Sequence, residues 1–186
     1  TGTLWLDPEM TTPYAFYQFW LNTDDRDVLR YLRALSFRSR EELEELEEQT
    51  RERPQARAAQ RALAEELTTL VHGADQCAKV VAASRALFGR DDLAALDERT
   101  LAAALAEVPS AQVSELGEVV DLFVATGLAP SRSAARRTIN EGGAYVNNTK
   151  ITEEDAVASP DQLLHGRWLV LRRGKRTLAA IEYTRG

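Results

Sequence analysis

Between Pro13 and about residue 106, apolar residues return every three or four positions, in runs interrupted by capping residues, prolines and glycines, and this pattern predicts successive helices. Thr12 precedes Pro13, a favoured first helical residue, and "PYAFYQFWLN" sets Tyr14, Tyr17 and Leu21 at helical spacing. Asp24 or Asp25 suits the cap of a second helix, in which Val28, Leu29, Leu32 and Leu35 form one stripe. Ser39 and Glu42 have the spacing of a capping box ahead of "REELEELEEQTRER", where Leu43 and Leu46 are the apolar anchors, and Pro54 closes that segment. Ala59, Leu63, Leu67, Leu70 and Val71 line the next helix, with Gly73 as its stop, and "KVVAASRALFG" also ends in glycine. Shorter helical pieces follow near 92–96 and 99–106. The connectors are short, so an all-α bundle is the expected architecture.

The grammar changes after residue 108. "VPSAQVSELG" loses the helical period and contains Pro109, Ser110, Ser114 and Gly117, so residues 109–117 read as a linker between domains at 1–108 and 118–186. The second domain opens with a short helix, "EVVDLFVATG", closed by Gly127; Ser131 caps another, which Gly142 and Gly143 end. Strand-forming segments then appear in "AYVNNTKIT", "GRWLVLRRG" and "KRTLAAIEYT". Asn147 and Asn148 tolerate left-handed backbone angles and suit a tight turn between Tyr145-Val146 and Lys150-Ile151, while Gly174 serves between the last two strands. The predicted fold class is mainly α, an all-α domain followed by a small α+β unit.

Charge sharpens that division. The chain's formal net charge is -6, yet residues 1–130 hold 13 Lys and Arg against 23 Asp and Glu, whereas 131–186 hold 10 against 6. A basic module beside an acidic one suggests a polyanion-binding segment. The 44% hydrophobic and 28% charged residues lie near globular averages, which argues against wholesale disorder or a fibre. No apolar run reaches the roughly 18 to 20 residues of a membrane helix, and "TGTLWLDPEM" lacks the regions of a signal peptide; no membrane partner and a cytoplasmic address are expected. The same N-terminus starts in a Thr-Gly-Thr turn without an initiator Met and reads as cut from a longer chain. Cys77 is the lone cysteine, expected as a buried structural thiol, with neither an internal disulfide nor a cysteine-based metal site.

On a helical wheel over 133–141, Ala134, Ala135, Thr138 and Ile139 cover one arc, and Arg132, Ser133, Arg136, Arg137 and Asn140 the other. Three guanidiniums beside an N-terminus capped by Ser131, whose free N–H groups also favour anions, make a phosphate-contacting surface. Arg172, Arg173, Lys175 and Arg176 form a second cluster around Gly174, and Asn147 and Lys150 add contacts from the hairpin. Two such clusters in one small domain can track a folded polynucleotide backbone.

The order helix, turn, "PSRSAARRTINEGG", then a hairpin opening "YVNN" resembles the S-four-like RNA-binding domain, over about Val119 to Val170. One departure is Asn147-Asn148 where that family commonly has Asn-Gly, which keeps the turn chemistry. "LWLDPEMTTPYAFYQFWLNTDDRDVLRYL", "RAAQRALAEELTTLVHG" and "HGRWLVLRRGKR" extend the resemblance to the C-terminal half of bacterial tyrosyl-tRNA synthetases. The resemblance implies that residues 1–108 comprise the tail of a catalytic domain and an α-helical anticodon-binding domain, and that the partner is tyrosine tRNA, held at its anticodon and long variable arm. It also implies that ATP and tyrosine bind a catalytic domain absent from this chain, that the parent enzyme is a homodimer through that domain, and that this stretch alone is no enzyme and needs no cofactor. The chain has neither the Lys-rich signature loop, nor the His-containing ATP signature, nor a Gly-rich phosphate cradle.

No independent catalytic constellation is legible. His72 and His165 each sit beside a glycine at an element boundary, where capping or surface exposure is expected; no metal-ligand spacing appears, and Glu41 to Glu48 reads as a solvated helix face. Asp24, Asp25 and Asp27 are helix-capping residues on the plain reading. The resemblance adds a second role, since an acidic residue in this region of the family reads the first, guanine-type anticodon base; Asp24 is the first choice of the three. Tyr14, Phe16, Tyr17, Phe19 and Trp20 can stack on an unpaired base, although core packing accounts for most of them. The alternatives are another S-four-like protein, such as a pseudouridine synthase or a ribosome-associated factor, and a protein-interaction scaffold.

Overall fold

A computed structural model describes residues 3–89 and 91–184. The Thr-Gly-Thr turn expected at the start thus lies largely outside the described residues. The chain forms two compact units, 1–81 and 82–186, the division falling within a helix.

The first unit is helical: α1 (Pro13–Leu21), α2 (Asp25–Leu35), α3 (Arg40–Glu52), α4 (Ala58–His72) and the start of α5 (Ala74–Leu87). Each boundary follows from local chemistry. Thr12 accepts from the Ala15 amide ahead of Pro13, and Asp24 from the Arg26 amide; Ser39 and Glu42 complete the capping box reciprocally. Helix α4 packs against α1, α2 and α3, and Phe16, Val28, Leu32, Ala59, Leu63 and Leu67 form the core. Two expected core residues are corrected here: Leu35 is 42% and Leu70 61% exposed, because each stripe runs into its helix's last turn, past its cover. Cys77 is buried, its thiol directed at the Glu65 carbonyl.

The second unit holds a five-stranded sheet of order β1-β5-β4-β2-β3, from β1 (Ser110–Val113), β2 (Ala144–Val146), β3 (Thr149–Lys150), β4 (Trp168–Arg173) and β5 (Thr177–Tyr183). All pairings are antiparallel except β1 with β5. Strand β1 corrects the expected linker at 109–117: Ser110 to Val113 run beside Ala180 to Tyr183 as an edge strand, too short and polar to announce itself by periodicity. Helices α7 (Val119–Ala125) and α8 (Arg132–Asn140) cover one sheet face, burying Phe123, Ala135 and Ile139 with Val146, Leu169, Leu171 and Ile181. Trp168, Val170, Leu178 and Ala180 alternate with that set and are buried too. Residues 82–106, which include α6 (Glu98–Leu105), belong to this unit, and two bonds tie them to the sheet's loops: Asn148 Nδ2 donates to the Ala86 carbonyl, and His165 Nε2 lies 2.9 Å from the Leu96 carbonyl. The expected boundary at 108/109 is therefore displaced to within α5. Among the described residues no helix is long and apolar enough to cross a membrane.

Candidate nucleic-acid interface

Helix α8 has the predicted amphipathic form. Ser131 Oγ accepts from the Ala134 amide, Ala135 and Ile139 are buried, and Ser133, Arg132 and Arg137 face outward. Its arginines nonetheless differ in availability. Arg132 is engaged by two carboxylates of the α7 N-terminus, Glu118 at 2.5 Å and Asp121 at 3.0 Å. Arg136 faces Glu154 at 3.7 Å, and Glu154 also accepts from Asn140. The Arg137 side chain has no ion pair or hydrogen bond among the described residues, while its carbonyl accepts from the Glu141 amide.

The hairpin cluster divides likewise. Arg172, expected on a phosphate grip, is 9% exposed: its guanidinium stacks 3.9 Å from the Tyr145 ring centroid, Nη1 donates to the Gly174 carbonyl, and Nε is buried without a partner. This is a correction, since a stacked, buried guanidinium fixes the turn and does not present to a ligand. Arg173 donates to the Leu128 carbonyl at 2.7 Å, bracing the turn between α7 and α8. Lys175 and Arg176 are exposed, with no partner among the described residues.

Asn147 is a second correction. At φ +46° its Nδ2 donates to the Gln162 carbonyl at 2.6 Å, and its Oδ1 accepts from the Val170 amide at 2.9 Å, so its amide extends the β2–β4 ladder by one residue. Asn148, at φ +65°, completes the predicted two-residue turn. Lys150 remains exposed, its ammonium lying over Gly142, where a Cβ would come within 2.6 Å of Nζ. The Gly174 amide donates to the Gly143 carbonyl at 2.7 Å. Through these two glycines the hairpin's Lys150 and the β4–β5 turn, which carries Lys175 and Arg176, meet the chain just past the last turn of α8, which carries Arg137. Open positive charge collects at the helix C-terminus, which also favours cations, and not at the N-terminus expected from the sequence.

The first unit carries the acidic turn between α1 and α2. Asp24 caps α2 and accepts from the Arg26 side chain at 3.1 Å; that bond, and then the one from the Arg26 amide, hold its carboxyl below its usual pKa while it stays accessible. Asp25 accepts from Gln60 Nε2 at 2.5 Å, and Asp27 lies 3.8 Å from Arg30. Tyr14, Phe16 and Tyr17 are core residues, whereas Phe19 is 51% exposed beside Trp20. Composition gave no hint that Tyr145 would carry a guanidinium. Gln60, a long polar side chain among Ala59, Leu63, Ala64 and Leu67 of α4, was the available signal for the contact to Asp25.

His72 packs edge-on against Phe16, with Nε2 buried and unpartnered, and burial lowers its pKa. Among the described residues no cluster of three or more His, Cys, Asp or Glu side chains is placed to hold a metal ion.

Comparison with known proteins agrees with this two-part layout. Residues 1–89 match the family described as tRNA synthetases class I (W and Y), and residues 100–181 match the tyrosine–tRNA ligase SYY-like C-terminal domain. The class is thereby defined as class I tRNA synthetases. A tyrosine–tRNA ligase of Streptomyces coelicolor is 73% identical over 183 residues, covering 98% of this chain and 43% of its own length. One of Thermobifida fusca is 64% identical, covering 97% and 43%. The solution structure of a tyrosyl-tRNA synthetase C-terminal domain is 32% identical over 50% of this chain and 95% of its own, with a TM-score of 0.42. The chain belongs to the tyrosine–tRNA ligase family, and it spans less than half the length of the curated relatives it matches.

Proposed function

We propose that this chain is the tRNA-binding portion of a tyrosine–tRNA ligase, holding tyrosine tRNA for aminoacylation by a catalytic domain that takes ATP and tyrosine. The observation that carries the proposal is the set of open cations, Arg137, Lys150, Lys175 and Arg176, gathered at one end of α8 in the unit that matches the ligase C-terminal domain. Spread around a turn, a helix end and a hairpin, these charges suit a folded phosphate backbone such as the long variable arm, where they position the RNA without reading its sequence.

The acidic unit supplies the complementary part of the proposal. Asp24, exposed and held ionised by Arg26, is an acceptor for the Watson-Crick edge of the first anticodon base, with Phe19 beside the same turn as a stacking surface. The complete ligase is proposed to work as a homodimer in the cytoplasm. Filter binding of the chain to tyrosine tRNA and to another long-armed tRNA, across a salt series, tests this reading. Tighter, salt-dependent binding of tyrosine tRNA is expected; equal affinity for both RNAs places the selectivity elsewhere, and absence of RNA binding favours a protein-interaction scaffold.

A further inference from the structure

The β2–β3 hairpin that carries Lys150 is too short to hold itself. Tyr145 faces Lys150 and Val146 faces Thr149, with one further bond from the Ile151 amide to the Ala144 carbonyl, and β3 lies at the sheet's edge. So short an edge strand has too few ladder bonds to fix its own direction, and the direction of Lys150 depends on what holds the turn. Asn147 secures one side of it, toward Gln162 and Val170. Asn148 secures the other: its Nδ2 donates at 2.7 Å to the carbonyl of Ala86, in the last turn of α5. A helix end leaves such a carbonyl without an intrahelical donor, and this one takes the Gly89 amide, at 3.0 Å, as well. Ala86 and Leu87 are 0% exposed, which makes this helix end a firm support.

The turn itself does not require the Asn148 side chain. At φ +65° glycine is at least as well suited. The fit around that side chain is nonetheless close. Gly89, at φ +75°, lies where a Cβ would come within 3.4 Å of Asn148 Oδ1 and 3.2 Å of Arg172 Nη2, on the guanidinium stacked against Tyr145. Asn148 Oδ1 is buried without a partner, so the carboxamide faces α5 and not a ligand. Ala86, Gly89, Asn148 and Arg172 all belong to the second unit.

We propose that Asn148 is a positioning residue of the phosphate grip: by fastening the β2–β3 turn to the end of α5, it holds Lys150 over Gly142, just past the last turn of α8. Residues 86–89 thereby serve RNA binding although none of them is charged. This rests on the proposed reading of Lys150 as one of the grip's cations. A held ammonium meets its phosphate already ordered. A loose one neutralises the same phosphate at an added entropic cost, so the latch changes affinity without changing the number of phosphates engaged.

The test is filter binding of tyrosine tRNA across a salt series by the 186-residue chain and by Asn148→Gly, Lys150→Ala and the double variant, with circular dichroism and urea unfolding of each. Lys150→Ala is expected to weaken binding and flatten the slope of log K against log salt by about 0.7 to 0.9. Asn148→Gly is expected to weaken binding by about threefold to tenfold, the cost of ordering one long side chain, at the wild-type slope. In the Lys150→Ala background the same change is expected to be silent, because the group it positions is gone; a merely structural Asn148 would weaken both backgrounds equally. Gly89→Ala, which disturbs the same contact from the α5 side, is expected to behave like Asn148→Gly and repeats the test should that variant unfold. Wild-type affinity in Asn148→Gly, or an equal loss with and without Lys150, overturns the positioning role and leaves Lys150 in the grip. A wild-type slope in Lys150→Ala removes Lys150 from the grip and overturns the positioning role with it, while the other cations stand. Absence of salt-dependent binding by the wild-type chain overturns the proposed function itself, and the positioning role with it.

Discussion

Replacing Asn147 separates its structural role from the RNA-binding role its hairpin position suggests. Its carboxamide makes two hydrogen bonds, to the Gln162 carbonyl and from the Val170 amide, and its backbone sits at φ +46°. Two such bonds contribute about 1 kcal/mol each, and moving alanine into the left-handed region costs about 1 kcal/mol more. Asn147→Ala should therefore destabilise the chain by about 2–4 kcal/mol, and Asn147→Gly, which loses the bonds but not the conformation, by roughly 1 kcal/mol less. Urea unfolding measures both values. Hydrogen exchange at the Val170 amide localises the effect, because that amide is bonded to the side chain being removed. The salt dependence of RNA binding should not change in the folded variants. A destabilisation below about 0.5 kcal/mol, the level of an ordinary surface substitution, or an unprotected Val170 amide in the wild type, would refute the reasoning.

Arg137→Ala, Lys175→Ala and Arg176→Ala should each weaken RNA binding and flatten the slope of log K against log salt by about 0.7 to 0.9, measured by filter binding. Arg172→Ala should leave that slope unchanged and instead lower stability by about 1–2 kcal/mol through loss of the Tyr145 stack, measured by urea unfolding. Burial depresses the His72 pKa in the folded state, so folding favours its neutral form. Stability from this group is present above the unfolded value near 6.5 and is lost as pH falls below it, a dependence that His72→Gln should flatten in unfolding curves from pH 7.5 to 5.

How much of this was legible in the sequence varies with the range of the interaction. Caps and turns depend on neighbours within four residues, so Thr12, Asp24, Ser39, Ser131 and the Asn147-Asn148 turn were all readable. Strand β1 was not, because its pairing partner lies about 70 residues away and its four residues carry no apolar alternation of their own. The displaced domain boundary has the same origin: residues 82–106 keep helical periodicity, and only tertiary contacts assign them to the sheet. For the candidate interface, the wheel placed the arginines on the right arc but could not show which charges are already neutralised. Arg132 meets Glu118 and Asp121, and Arg172 meets Tyr145, across separations that spacing does not encode.

Tyrosine tRNA binding by the wild-type chain and by the double variant Lys175→Ala/Arg176→Ala, each across a salt series, tests the central claim most directly. The expected result is salt-dependent binding by the wild type, with a double-variant slope shallower by about 1.4 to 1.8 and circular dichroism unchanged. Equal affinity and equal slope in both proteins would contradict the assignment of the α8 C-terminal end as the phosphate grip.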